Sequence, residues 1–125
     1  MLRAPILALA LLLAPAAIAQ SPARVIDGDT IVVGVEHIRI MGLDAPEIHG
    51  RCPYEVRLAA RARQRMRQLV ANGVWLTTHG RDRYRRTLAI VRDSQGRDVA
   101  QVMIAEGLAR SYDGRTRRQS WCNLP

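Results

Sequence analysis

The stretch Arg24-Val25-Ile26-Asp27-Gly28-Asp29-Thr30-Ile31-Val32-Val33-Gly34-Val35-Glu36-His37-Ile38-Arg39-Ile40-Met41 decides the fold. Three β-branched runs, Arg24 to Ile26, Thr30 to Val33 and His37 to Met41, are separated by Asp27-Gly28-Asp29 and Gly34-Val35-Glu36. Runs of that length between turn formers predict a three-strand meander. Alternation in the third run puts Ile38 and Ile40 on one face and Arg39 on the other. The arginine therefore leaves the core on the segment that leads to Asp44 and Glu47.

Downstream, the period changes. Pro53 suits a first helical turn, Glu55 favours the positive end of the helix dipole, and Ala59, Ala62, Met66, Leu69 and Val70 recur at helical spacing until Asn72-Gly73. Arg57, Arg61, Arg65 and Arg67 fall on the opposite, solvated face. Val74 to Thr78 and Thr87 to Arg92 read as two further strands joined by a charged loop from His79 to Arg86. Asp93-Ser94-Gln95-Gly96 is a turn, Asp98 caps a short helix from Val99 to Glu106, and Leu108 to Tyr112 is extended. The expected fold is mainly β, a five-stranded OB-type barrel with two helices packed on it.

The 125 residues carry 19 basic against 11 acidic side chains, a formal charge of +8, and are 48% apolar. Length points to one domain and apolar content argues against disorder. No apolar run reaches the roughly 18 residues of a membrane span, so stable membrane insertion is not expected. Residues 1–19, with Arg3, an apolar block from Ala4 to Ala16 and Ala17-Ile18-Ala19, have the form of a secretory signal peptide. The expected mature domain is 20–125, exported to the periplasm or beyond. Every basic residue is arginine, and a basic surface needs an acidic partner, nucleic acid before envelope polymers. In an oxidising compartment Cys52 and Cys122 read as a disulfide pair, provided their Cα atoms come within range; otherwise they are free thiols.

Candidate chemistry lies in three places. Asp27-Gly28-Asp29-Thr30 is an ordinary turn that also offers carboxylates to a hard cation. Arg39 to Glu47 sets an arginine, Asp44 and a second acid within nine residues, a set suited to neutralising phosphate, holding a cation and orienting water. Asp82-Arg83-Tyr84-Arg85-Arg86-Thr87 is a cationic loop with an aromatic residue, which by itself reads equally as a site for a phosphate beside a base or as a solvated charged hairpin loop. His37, His49 and His79 lack companions at ligand spacing and read as loop histidines.

Together and in this order, these segments resemble the staphylococcal nuclease (thermonuclease) family, over roughly Arg24 to Tyr112, including Glu106-Gly107-Leu108-Ala109. The resemblance implies a Ca²⁺-dependent nuclease acting on DNA and RNA and leaving 3′-phosphates. It makes Asp29 and Asp44 carboxylate ligands of Ca²⁺, the Ala45 main-chain carbonyl a further ligand, and Asp27 a nearby acid. Glu47 would orient or deprotonate water, Arg39 and Arg86 would brace the phosphate, Arg83 and Tyr84 would meet a terminal phosphate, and Tyr112 would stack a base. Arg85 stands where the family commonly has glycine. The family's long final helix has no counterpart after Tyr112, and Cys122 is expected to supply the closure. A monomer is expected. The competing reading is a secreted, non-catalytic OB-fold module that binds nucleic acid through its arginines; such a module has no need of Asp29, Asp44, Glu47, Arg39 and Arg86 together.

Overall fold

The β-branched runs pair as their alternation requires. In a computed structural model that describes residues 20–122, β1 (Arg24–Asp27) is antiparallel to β2 (Thr30–Val33), and β2 to β3 (Glu36–Ile40). The chain then crosses over, so that β3 runs parallel to β6 (Thr87–Arg92), which is antiparallel to β5 (Trp75–Arg81). The sheet order is β1-β2-β3-β6-β5. The residues that precede its two edge strands form an isolated antiparallel bridge, Ser21 N–H to Val74 O at 3.2 Å and Val74 N–H to Ser21 O at 2.9 Å. The segment read as a leader, residues 1–19, lies outside the described residues.

Helix α1 (Pro53–Val70) starts with Pro53 in its first turn and buries Leu58, Ala59, Ala62, Met66, Leu69 and Val70. Helix α2 (Val99–Ala105) is capped by Asp98, whose carboxylate accepts the Ala100 N–H at 3.0 Å. The core is aliphatic, with Ile31, Ile38, Ile40, Met66, Val91 and Met103 almost wholly buried and no phenylalanine in the sequence. Among the described residues, no helix is long and apolar enough to cross a membrane.

Two local expectations are corrected. The strand read as ending at Thr78 runs on to Arg81, because an irregularity between Thr78 and Arg81 lets the charged segment stay paired with Thr87. Leu43–Asp44 also forms a two-residue strand, β4, paired with β7 (Arg110–Ser111) in the segment expected to be extended. Cys52 and Cys122 are bonded, with Cα atoms 5.9 Å apart and a separation of 70 positions in sequence. Closing a loop of that size contributes about 4 kcal/mol on a chain-entropy argument.

Candidate active site

The turn between β1 and β2 turns its acids toward the segment after β3. Asp29 accepts Thr30 Oγ1–H on Oδ1 at 3.1 Å and the Ala45 N–H on Oδ2 at 3.4 Å, and Asp27 Oδ1 accepts the Asp29 N–H at 3.2 Å. The approach depends on Gly28. A Cβ there would stand 2.8 Å from the Ala45 Cβ and 3.1 Å from the Ala62 Cβ, so any side chain would push the turn off both Ala45 and α1.

Asp44 is buried on β4, held there by pairing with Arg110. Arg39 leaves the core as its strand position requires, between buried Ile38 and Ile40. Its guanidinium donates to the carbonyls of Ile40 at 2.6 Å and Leu43 at 3.1 Å and lies 3.5 Å from Asp29 Oδ2. Glu47 follows on an exposed loop whose backbone is anchored by Glu55. The buried Glu55 carboxylate accepts the N–H groups of Glu47 at 3.3 Å and Arg51 at 2.8 Å. The sequence shows Glu55 only as a helix-start acid; its anchoring role needs the loop to fold back, and no spacing rule reports that.

Burial pushes the Asp27 carboxyl up to about 7, and the neighbouring Asp29 charge adds to the rise. Burial likewise raises Asp44, and this is offset in part by Arg118. Arg118 was invisible to sequence reasoning. It belongs to the tail segment without a clear period, yet its Nη2 lies 2.5 Å from Asp44 Oδ1 and 2.7 Å from Glu47 Oε1. Burial opposes its charge, but the Glu47 and Asp44 contacts outweigh that and hold its pKa above the ordinary arginine value.

The cationic loop forms a second group. Asp82 Oδ1 accepts the N–H groups of Tyr84 at 2.9 Å and Arg86 at 3.0 Å, and its Oδ2 accepts Arg86 Nε–H at 2.7 Å. Burial pushes the Asp82 carboxyl up, but these bonds prevail and keep it below the usual carboxylate range. The guanidinium groups of Arg83 and Arg86 lie 4.9 and 5.5 Å from the Tyr84 ring centroid, and Tyr84 and Arg86 line an open groove of about 490 Å³ together with Glu36, His37 and Arg85. Asp27, Asp29, Arg39, Asp44, Ala45 and Glu47 are thus brought together. Among the described residues, no ion pair or hydrogen bond joins Arg83, Tyr84 or Arg86 to Asp29, Asp44 or Glu47. Tyr112 follows β7 and is tied through its N–H to the Gly42 carbonyl at 3.1 Å.

The acidic group suits a hard divalent cation. Its donors are carboxylates and a main-chain carbonyl, all oxygens. Asp44 Oδ1 is buried without a hydrogen bond of regular geometry, and its partner among the described residues is the ion pair with Arg118, whose Nη2 also reaches Glu47. The one trio of His, Cys, Asp or Glu ligand atoms within 4.8 Å of one another among the described residues is Cys52, Glu55 and Cys122, and its sulfurs are already bonded to each other.

The domain is mainly β, with Asp29 and Asp44 buried beside the Arg39 and Arg118 guanidinium groups. The chain belongs to the family described as staphylococcal nuclease homologue, whose profile matches residues 37–121, more than half of its length. It is therefore a nuclease-like domain with nucleic acid as its class of partner, in a family whose members are usually hydrolases. A comparison with curated proteins found no match.

Proposed function

We propose that this domain is an exported, Ca²⁺-dependent nuclease that hydrolyses phosphodiester bonds in DNA and RNA and leaves 3′-phosphates. The observation that carries the reading is the convergence of Asp29, Asp44, Arg39 and Glu47 on one patch. Asp29, Asp44 and the Ala45 carbonyl would hold Ca²⁺, which when bound would offset the charge of the phosphodiester. Glu47, exposed on its loop, accepts a proton from the attacking water. Arg39 braces the phosphate as negative charge builds on its oxygens, and a guanidinium suits this because it presents a planar fork. Arg86 joins from the Asp82 loop when substrate bridges the two groups, with Arg83, Tyr84 and Tyr112 lining the approach.

The non-catalytic reading has one observation in its favour: Arg118 lies across Asp44 and Glu47. The mature chain, incubated with single-stranded and duplex DNA and RNA in Ca²⁺ or in chelator, separates the two. Cleavage in Ca²⁺ that stops in chelator is expected, with Glu47→Gln slower by at least about a hundredfold. Binding without cleavage under every condition would leave the module reading.

A further inference from the structure

We propose that Arg118 is an intramolecular competitor for the divalent cation, a tethered guanidinium that holds Asp44 and Glu47 until the cation displaces it. The inference rests on the reading of Asp44 as a cation ligand. Among the described residues, Arg118 is the only cationic side chain in contact with either acid. One nitrogen bridges both carboxylates, so the same charge neutralises two groups that would otherwise repel each other near Asp29. A guanidinium and a divalent cation cannot share the Asp44 oxygen, because two positive charges would then stand at contact distance. Occupancy by one is therefore loss of the other.

The tail holds Arg118 in place from both sides. After it, Arg110 Nη1 donates to the carbonyls of Gln119 at 3.1 Å and Ser120 at 3.2 Å, the Arg110 guanidinium stacks on buried Trp121 at 3.7 Å, and Cys122 is bonded to Cys52. Before it, Asp113 accepts the N–H groups of Arg115 and Thr116, both at 2.8 Å, closing a turn. A group anchored this closely has an effective concentration of about millimolar or above at the acids, which weakens the apparent affinity of a free cation. Its exit is also open. The Asp44 side chain is 4% exposed and that of Arg118 43%, so the guanidinium can swing into the groove beside Arg51 and Arg117 without unfolding of the core.

The test is titration calorimetry of the mature chain with Ca²⁺ alone. Arg118→Gln should tighten Ca²⁺ binding at least about tenfold, whereas Arg117→Gln, which removes the same charge from the same groove, should change it less than about threefold. Without Ca²⁺ the Arg118→Gln protein should melt earlier than wild type, and saturating Ca²⁺ should close that gap. Cys52→Ser with Cys122→Ser should also tighten binding, since it loosens the tether; no change there would overturn the tether. Ca²⁺ affinity in Arg118→Gln equal to or weaker than wild type overturns the competitor. Asp44→Asn separates the two readings. If it abolishes Ca²⁺ binding while Arg118→Gln has no effect, only the competitor fails; if Ca²⁺ binds Asp44→Asn as it binds wild type, the cation site and the competitor fail together.

Discussion

The loops on either side of β6, Asp82 to Arg86 and Asp93 to Arg97, are built on one hydrogen-bond plan and put to different uses. In each, the first N–H meets the fifth carbonyl at 2.9 Å, and the fourth N–H meets the first carbonyl at 3.0 and 2.9 Å. In each, the aspartate accepts the N–H groups of the third and fifth residues and the Nε–H of the arginine that ends the loop. The fourth residue is left-handed in both. It is Gly96 at φ 79° in one and Arg85 at φ 66° in the other. A non-glycine residue there costs about 1 kcal/mol. The strained loop sets Tyr84 and Arg85 against the groove, while the relaxed one, Ser94-Gln95-Gly96, leads into α2. The difference teaches that the ring is a generic scaffold, and that one copy tolerates strain where an extra cation lines the open groove.

The largest expected effect separates the two aspartates. The Asp93 side chain is 2% exposed and that of Asp82 16%. Asp93→Ala should lower stability in urea unfolding by about 3 kcal/mol, because three part-buried N–H bonds to a buried carboxylate are lost and a void is left in its place, and Asp82→Ala by about 1 kcal/mol. Equal losses would break the comparison. Burial raises the Asp93 carboxyl, but the bonds from Arg97 and Gln95 outweigh it and hold it below the usual range. A depressed native pKa gives stability above the ordinary carboxylate pKa that is lost as pH falls through the native value. The gap between wild type and Asp93→Asn should therefore be full at pH 7 and shrink below about pH 4.

Next come the arginines that close the loops. Arg86→Ala should lower turnover at least about a hundredfold with the fold retained, about 2.7 kcal/mol in barrier, whereas Arg97→Ala should leave turnover unchanged. A similar loss in both would mean that these arginines serve only their loops. The smallest effect is the sharpest for strain. Arg85→Gly should stabilise the protein by about 1 kcal/mol, and Gly96→Arg should destabilise it by a similar amount. Arg85→Gly should also reduce the salt slope of DNA binding by roughly 0.7 to 0.9 if that guanidinium neutralises one phosphate. An unchanged slope would leave Arg85 without a substrate contact.

Legibility followed the range of the forces involved. The meander, α1 and the cap at Asp98 were readable because alternation, helical spacing and capping act within a few residues. The strand β4 was not, since two residues carry no period and Leu43–Asp44 is extended only because Arg110–Ser111 lies beside it. The shared plan of the two loops was partly visible: both have Asp followed four residues later by Arg, and the position where the family commonly has glycine, held here by Arg85, is the left-handed one that Gly96 fills in the other loop.

The sequence by itself determined the mainly β order of elements, the outward face of Arg39 and the family, because each depends on local pattern or on the order of motifs. Only the tertiary structure decided that Glu55 anchors the Glu47 backbone and that Arg118 bridges Asp44 and Glu47. Those contacts join residues up to 74 positions apart. They exist because strand pairing and the Cys52–Cys122 bond fold a tail without pattern back onto buried charge, and no local propensity encodes such a meeting.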